Sequence, residues 1–252
     1  MLTIPKLSED QIEAFHRDGF LVARGLVPAK DRPTIARWAD ELVAMPEEPG
    51  RHWVYWEDSL RDPEKKLISR IENIAPFHAG FADLAQALKA PVGQLLGETA
   101  VLFKEKINFK MPGGGGFKPH QDSQAGWDRY ADFFLSALVS IDSSDKKNGC
   151  LEMAAGHHNR GLFRSWEPLT DDDMTGMSFV SCPTEPGDVV FFDCYAPHRS
   201  EANLSDSIRR LYYATYNRLS AGDHMTQYYV DKHKSYPPDI EREPGKKYVF
   251  RV

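Results

Sequence analysis

The sequence predicts a mainly β protein with flanking helices. A jelly-roll core from about residue 100 to 220 lies behind a helical N-terminal third, within one domain spanning residues 1–252. Three observations carry this. The apolar period falls from helical spacing to two at Ala100; apolar runs of strand length then follow one another, separated by Gly and Pro turns; and a 41% hydrophobic composition supplies one sizeable core.

In chain order, Ser8-Glu9-Asp10-Gln11 has the form of a capping box. Leu7, Ile12 and Phe15 give the apolar stripe of a short helix ending at Gly19. Phe20 to Val27 reads as a strand, and Pro28 as the opening of a second helix with Ile35, Trp38, Ala39, Leu42 and Val43 at helical spacing. Residues 46–63 carry an aromatic patch, Arg51-His52-Trp53-Val54-Tyr55-Trp56-Glu57, which is either a lid over a substrate or an edge strand. Phe77 to Leu96 predicts two helical segments separated at Ala90-Pro91. From Val101 to Lys110, Phe103, Glu105, Ile107 and Phe109 share one strand face, with Lys104, Lys106, Asn108 and Lys110 on the other. That polar face is either solvated or turned into a wet barrel interior. Further strands are expected at Phe133–Ile141, Cys150–Ala154, Asp188–Phe192 and Leu211–Tyr216.

Composition narrows the function. A net charge of −6 and a pI near 5.9 lack the basic face that nucleic acid requires. No apolar run is long enough to span a bilayer, and Met1 to Lys6 lacks the order of a signal peptide, so a cytoplasmic protein is expected. Three cysteines without CxxC spacing (Cys150, Cys182, Cys194) read as reduced, buried thiols rather than a zinc site. The sequence gives no oligomeric state.

The chemistry gathers around Lys118-Pro119-His120-Gln121-Asp122. A His and an Asp two apart on an extended strand point the same way, and a second His from a distant strand completes a two-histidine, one-carboxylate face for Fe(II). His198 follows an apolar strand and a Pro turn, and in a jelly roll such remote segments become neighbours. Gly113 to Gly116 lack the Gly-Lys-Ser/Thr of a phosphate loop; they suit a mobile turn delivering His120. Arg209 offers a guanidinium, the group best shaped to clamp a carboxylate.

His120-x-Asp122, Asn148-Gly149-Cys150-Leu151, His198-x-Ser200 and Arg209 together resemble the phytanoyl-CoA dioxygenase family of Fe(II)- and 2-oxoglutarate-dependent oxygenases, over roughly residues 8–220. The resemblance implies a double-stranded β-helix, a cupin-like form of jelly roll. It also implies iron held by His120, Asp122 and His198, with 2-oxoglutarate and O2 as co-substrates. Arg209 and Ser200 would hold the distal carboxylate of 2-oxoglutarate, Lys106 and Asn108 would add contacts, and Trp127 would wall the pocket. Within the family, the stretches Phe103–Lys110, Phe117–Asp122, Gln124–Trp127 and Arg70–Asn73 look most like hydroxylases of 2-aminoethylphosphonate and its N-trimethyl form, which act on the carbon bearing phosphorus.

A phosphonate needs N–H or O–H donors, for which Arg70, Asn73, Lys104, Gln124 and His157 are candidates. An ammonium needs carboxylate or aromatic faces, for which Tyr55, Trp56 and Glu72 are candidates. Two alternatives stand beside this reading: the same chemistry on another small zwitterion, amino acid derivative or natural-product intermediate, and a jelly-roll binding module with no catalysis.

Overall fold

The structure, a computed structural model, describes residues 2–249. Helix α1 (Glu9–Asp18) is closed at its start by the Ser8/Gln11 capping box and at its end by Gly19 in the left-handed conformation, φ 79°. Strand β1 (Phe20–Ala23) is shorter than expected because the chain turns at Arg24-Gly25, and helix α2 (Arg32–Ala44) starts four residues after Pro28, which instead accepts a turn hydrogen bond from Asp31. The aromatic patch resolves as an edge strand, β2 (Trp53–Asp58), paired with an unanticipated β3 (Lys66–Glu72).

Contrary to the expected break, α3 (Ala79–Leu96) is one helix running through Pro91. Proline removes one helical donor and crowds the preceding turn. Here Leu84, Leu88, Val92 and Leu95 are buried along the helix on both sides of it, and packing outweighs the local cost.

Two antiparallel sheets follow. The larger has seven strands in the order β1-β9-β6-β11-β4-β3-β2, and the smaller has four in the order β5-β10-β7-β8. Their ranges are β4 (Ala100–Lys110), β5 (Phe117–His120), β6 (Leu135–Ser140), β7 (Leu151–Ala154), β8 (Phe179–Cys182), β9 (Val189–Asp193), β10 (His198–Ser200) and β11 (Arg209–Arg218). The helices cover one face of the large sheet, where Ile35, Leu84 and Leu88 join a core with Ile107, Val139 and Ala214. Between the sheets, Leu138, Val190, Phe192 and Leu211 meet Leu151, Met153 and Cys182. Helix α4 (Met225–Ser235) closes one end with Tyr228 and Tyr229 against Trp53, Phe103 and Phe134.

Strand β4 separates these environments. Glu105, Ile107 and Phe109 are buried, and Ile107 and Phe109 belong to the helix-side core, whereas Lys104, Lys106 and Asn108 line a cavity between the sheets. The polar face therefore lines a wet interior. Phe103 departs from its expected face and packs with Trp127 and Phe134, because the β4–β11 register shifts beside it: Thr215 pairs with Lys104 but Tyr216 with Leu102. The extra residue of such a bulge reverses the side on which the preceding residues point.

Candidate active site

Strand β5 ends at His120, and Asp122 is the first residue of a 3₁₀ turn, so the pair straddles a strand end and does not lie on one strand. Gln121, extended at φ −115°, is locked between them: its backbone N–H donates to Gln124 Oε1 at 2.6 Å, and its amide donates to the carbonyls of Gly161 and Tyr195. His198 opens β10, which pairs with β5 so that His198 stands opposite His120. The two imidazole centroids lie 4.2 Å apart, and His198 Nε2 is 3.9 Å from Asp122 Oδ1. One ligand atom from each of the three residues falls within 4.8 Å of the others, a separation that one ion can bridge.

Hydrogen bonding fits the same role. His120 Nδ1 lies 2.7 Å from the Lys118 carbonyl, and His198 Nδ1 lies 3.0 Å from the Ala196 carbonyl. A carbonyl only accepts, so each Nδ1 carries the proton and each Nε2 keeps a lone pair for a metal. Burial and the adjacent His198 push His120 down to about 3, so it is neutral at physiological pH. Burial alone would raise the Asp122 carboxyl, yet His198, Lys104 and Lys106 together hold it below the usual range. The three residues thus present two neutral imidazoles and one carboxylate, the donor set that suits Fe(II).

The cavity around them encloses about 550 Å³. Its wall includes Arg70, Glu72, Lys104, Lys106, Asn108, Trp127 and Ser200 from the expected residues, together with Tyr213, Tyr228 and Lys232. Trp127 is buried with its Nε1 unpartnered, and Asn108 Oδ1 is also without a partner. Arg209 lines an adjoining cavity that shares Asn108 and Phe117 with the first. It is 1% exposed; one N–H donates to the Gly149 carbonyl at 3.0 Å, while its Nε has no acceptor. A buried guanidinium N–H left open in this way is suited to an incoming carboxylate. Lys110 sits beside it, donating to Ser200 Oγ at 2.8 Å and to Gly149 O at 3.3 Å.

Other expected residues fall elsewhere. Gln124 is fully buried as a cap, accepting from Gln121 and donating to the Glu167 carbonyl. Asn73 and His157 line neither cavity; Asn73 turns the chain at φ 55°, and His157 faces Arg160. Tyr55 and Trp56 line only the adjoining cavity. Tyr55 already carries the Arg70 guanidinium over its ring at 4.3 Å, and Glu72 is paired with Arg70 at 2.9 Å and with Lys232, so these groups already serve the protein's own cations. The glycine run serves close approach: a Cβ on Gly116 would lie 2.6 Å from the Ser200 carbonyl, and the Gly115 N–H donates to Glu57. Sequence reasoning missed Lys110 as a site residue although it shares the polar face of β4. It also missed Tyr228 and Lys232, whose i, i+4 spacing on a helix marks a common face.

The sequence pattern of the phytanoyl-CoA dioxygenase (PhyH) family matches residues 15–211. The chain belongs to that family. Among its relatives, it is 37% identical over 246 residues to a 2-aminoethylphosphonate dioxygenase of the uncultured bacterium HF130_AEPn_1, covering 96% of this chain and 93% of that one. It is 32% identical to a methylphosphonate hydroxylase of Gimesia maris, covering 91% and 88%. Among solved structures it is similar to EctD from S. alaskensis with 2-oxoglutarate and 5-hydroxyectoine. The TM-score is 0.73 and the identity 25%, over 85% of this chain and 77% of that one. This phytanoyl-CoA dioxygenase family member is an oxygenase with a jelly-roll core. Among the described residues no helix is long and apolar enough to cross a membrane.

Proposed function

We propose that this enzyme hydroxylates a small organophosphonate, 2-aminoethylphosphonate or its N-methylated form, at the carbon bearing phosphorus. It is an Fe(II)- and 2-oxoglutarate-dependent oxygenase that uses O2. The observation that carries the substrate reading is the cavity itself: His120, Asp122 and His198 open onto a wall bearing Arg70, Lys104, Lys106 and Lys232. Relatives named for phosphonate oxidation support the same substrate class.

In this reading His120, Asp122 and His198 hold the iron, which when bound supplies O2-driven C–H hydroxylation coupled to conversion of 2-oxoglutarate to succinate and CO2. The protein contributes placement. The carbonyls of Lys118 and Ala196 hold the two imidazoles in the ligating tautomer, and Lys104 and Lys106 keep Asp122 ionised. Arg209 and Ser200 receive the far carboxylate of 2-oxoglutarate, Ser200 being oriented by Lys110. Asn108 and Lys106 line its path, and Trp127 walls it. Lys104, which lines the same cavity as His120, Asp122 and His198, would hold the phosphonate beside the residues that would bind the metal. The three free, buried cysteines suit a reducing, cytoplasmic setting.

The test is an oxygen-consumption screen of phosphonates and other small zwitterions, scored by succinate and hydroxylated product in equal amounts. A 1-hydroxylated phosphonate is the expected product. Coupled turnover of an amino acid derivative and none of phosphonates would overturn the substrate. With O2 excluded, Fe(II) and 2-oxoglutarate should give a weak charge-transfer band in the visible, and its absence in folded protein would favour a binding module.

A further inference from the structure

The family pattern ends at residue 211, yet the cavity is completed by a later element, α4, through Tyr228 and Lys232. Lys232 reaches Glu72, which also holds Arg70 at 2.9 Å, so one buried carboxylate fixes two cations side by side on the wall. Lys104 is next to them, 4.1 Å above the Trp127 ring, and it shares the Tyr228 ring with Lys232, each at 5.7 Å. Among the described residues, neither Lys104 nor Lys106 has a carboxylate within ion-pair distance, although both feel Asp122 and Glu72.

Arg70, Lys104, Lys106 and Lys232 share one cavity wall with the acids Glu72, Asp122 and Asp231, so basic side chains outnumber acidic ones before any metal is counted. Burial pushes the Lys232 ammonium well below its ordinary value, with Glu72 opposing the shift, so a compensating anion in the cavity stabilises its charged form. Trp127 and Tyr228 already underlie the protein's own cations, so an incoming ammonium would have to displace Lys104 or Lys232 from those faces. Lys232 has three N–H donors, of which Glu72 takes one.

Resting on the phosphonate reading above, we infer that Lys232, held by Glu72, is a specificity-determining residue that with Lys104 selects a doubly charged tetrahedral headgroup over a singly charged one of the same shape. Helix α4 is then the element that adapts the common oxygenase core to its substrate's charge.

The experiment compares 2-aminoethylphosphonate with 2-aminoethanesulfonate at pH 8, where the first headgroup carries one more negative charge. In the Fe(II)- and 2-oxoglutarate-loaded enzyme, Lys232→Met should lower kcat/KM for the phosphonate by about 30-fold, the usual loss for one charged hydrogen bond. The inhibition constant of the sulfonate should change only a few-fold, so that discrimination narrows. The 2-oxoglutarate KM should stay near wild type, the melting temperature should fall because buried Glu72 loses one of its two cations, and Lys232→Arg should recover both stability and most of the phosphonate activity. Equal losses for both headgroups, or none for either, would overturn the assignment of Lys232 alone. A wild-type enzyme that turns over no phosphonate would instead sink the underlying substrate reading.

Discussion

Each imidazole of the proposed iron site sets Nδ1 against a carbonyl two residues earlier in its own chain, Lys118 for His120 and Ala196 for His198. The ligating nitrogen is therefore chosen by local backbone before any metal arrives. Asp122 depends on its neighbours, accepting one hydrogen bond from Ser136 at 3.2 Å. Asp122→Ala should abolish succinate formation while circular dichroism and the melting temperature remain close to wild type; wild-type turnover would remove Asp122 from the centre. Arg209→Ala should raise the 2-oxoglutarate requirement by an amount equivalent to about 2–3 kcal/mol, measured as KM for the co-substrate. The three candidate ligands were legible from residue type and spacing, because few arrangements place His-x-Asp and a second His behind apolar strands. The substrate residues were less so. Polarity marks Lys104, Gln124 and His157 alike, and only the backbone path decides that Lys104 faces the cavity while Gln124 caps a turn.

At the scale of elements, the connection from Asn148 to β7 matters as much as the strands. The Gly149 carbonyl accepts from both Arg209 and Lys110, and Gly149 itself has φ 73° with the Glu201 carbonyl only 2.1 Å from where a Cβ would lie. Gly149→Ala should therefore force the backbone to shift, lowering the melting temperature by several degrees and raising the 2-oxoglutarate KM together. Unchanged co-substrate affinity would show that this carbonyl does not organise the diacid end. The strands with clear period or continuous apolar runs, β4, β6, β9 and β11, were readable. The three-residue β10 is too short for any period, and β3 and α4 carry charges that obscure theirs. Pro91 misled for a physical reason: its penalty is local, whereas the apolar stripe of α3 is buried along its whole length.

Across the whole molecule, the large sheet keeps a buried acid on its helix side. Burial pushes Glu105 up to about 7, even though it accepts the N–H groups of Ile74 and Ala75. A carboxyl raised on folding binds more protons in the native state, so its contribution to stability is full below about pH 4.5 and falls as pH rises through about 7. Glu105→Gln keeps the acceptor and removes the titration. Between pH 5 and 8 the variant should gain on wild type with rising pH, by up to about 3 kcal/mol, in denaturant melts. Asp193 is raised in the same sense and His120 titrates in the opposite one, so the difference between the two proteins, not either curve alone, isolates Glu105. A constant difference would mean that the carboxyl is ionised throughout.

Strand β4 alternates between that helix-side core and the cavity, with its phase set by the irregularity at Phe103. A single residue inserted or deleted between Lys104 and Asn108 would exchange the two sets, driving lysines among the helices and isoleucine into the chamber. The segment can thus diverge only by replacement in place, and changes in guest preference are easier to accommodate on the surrounding elements than along its length.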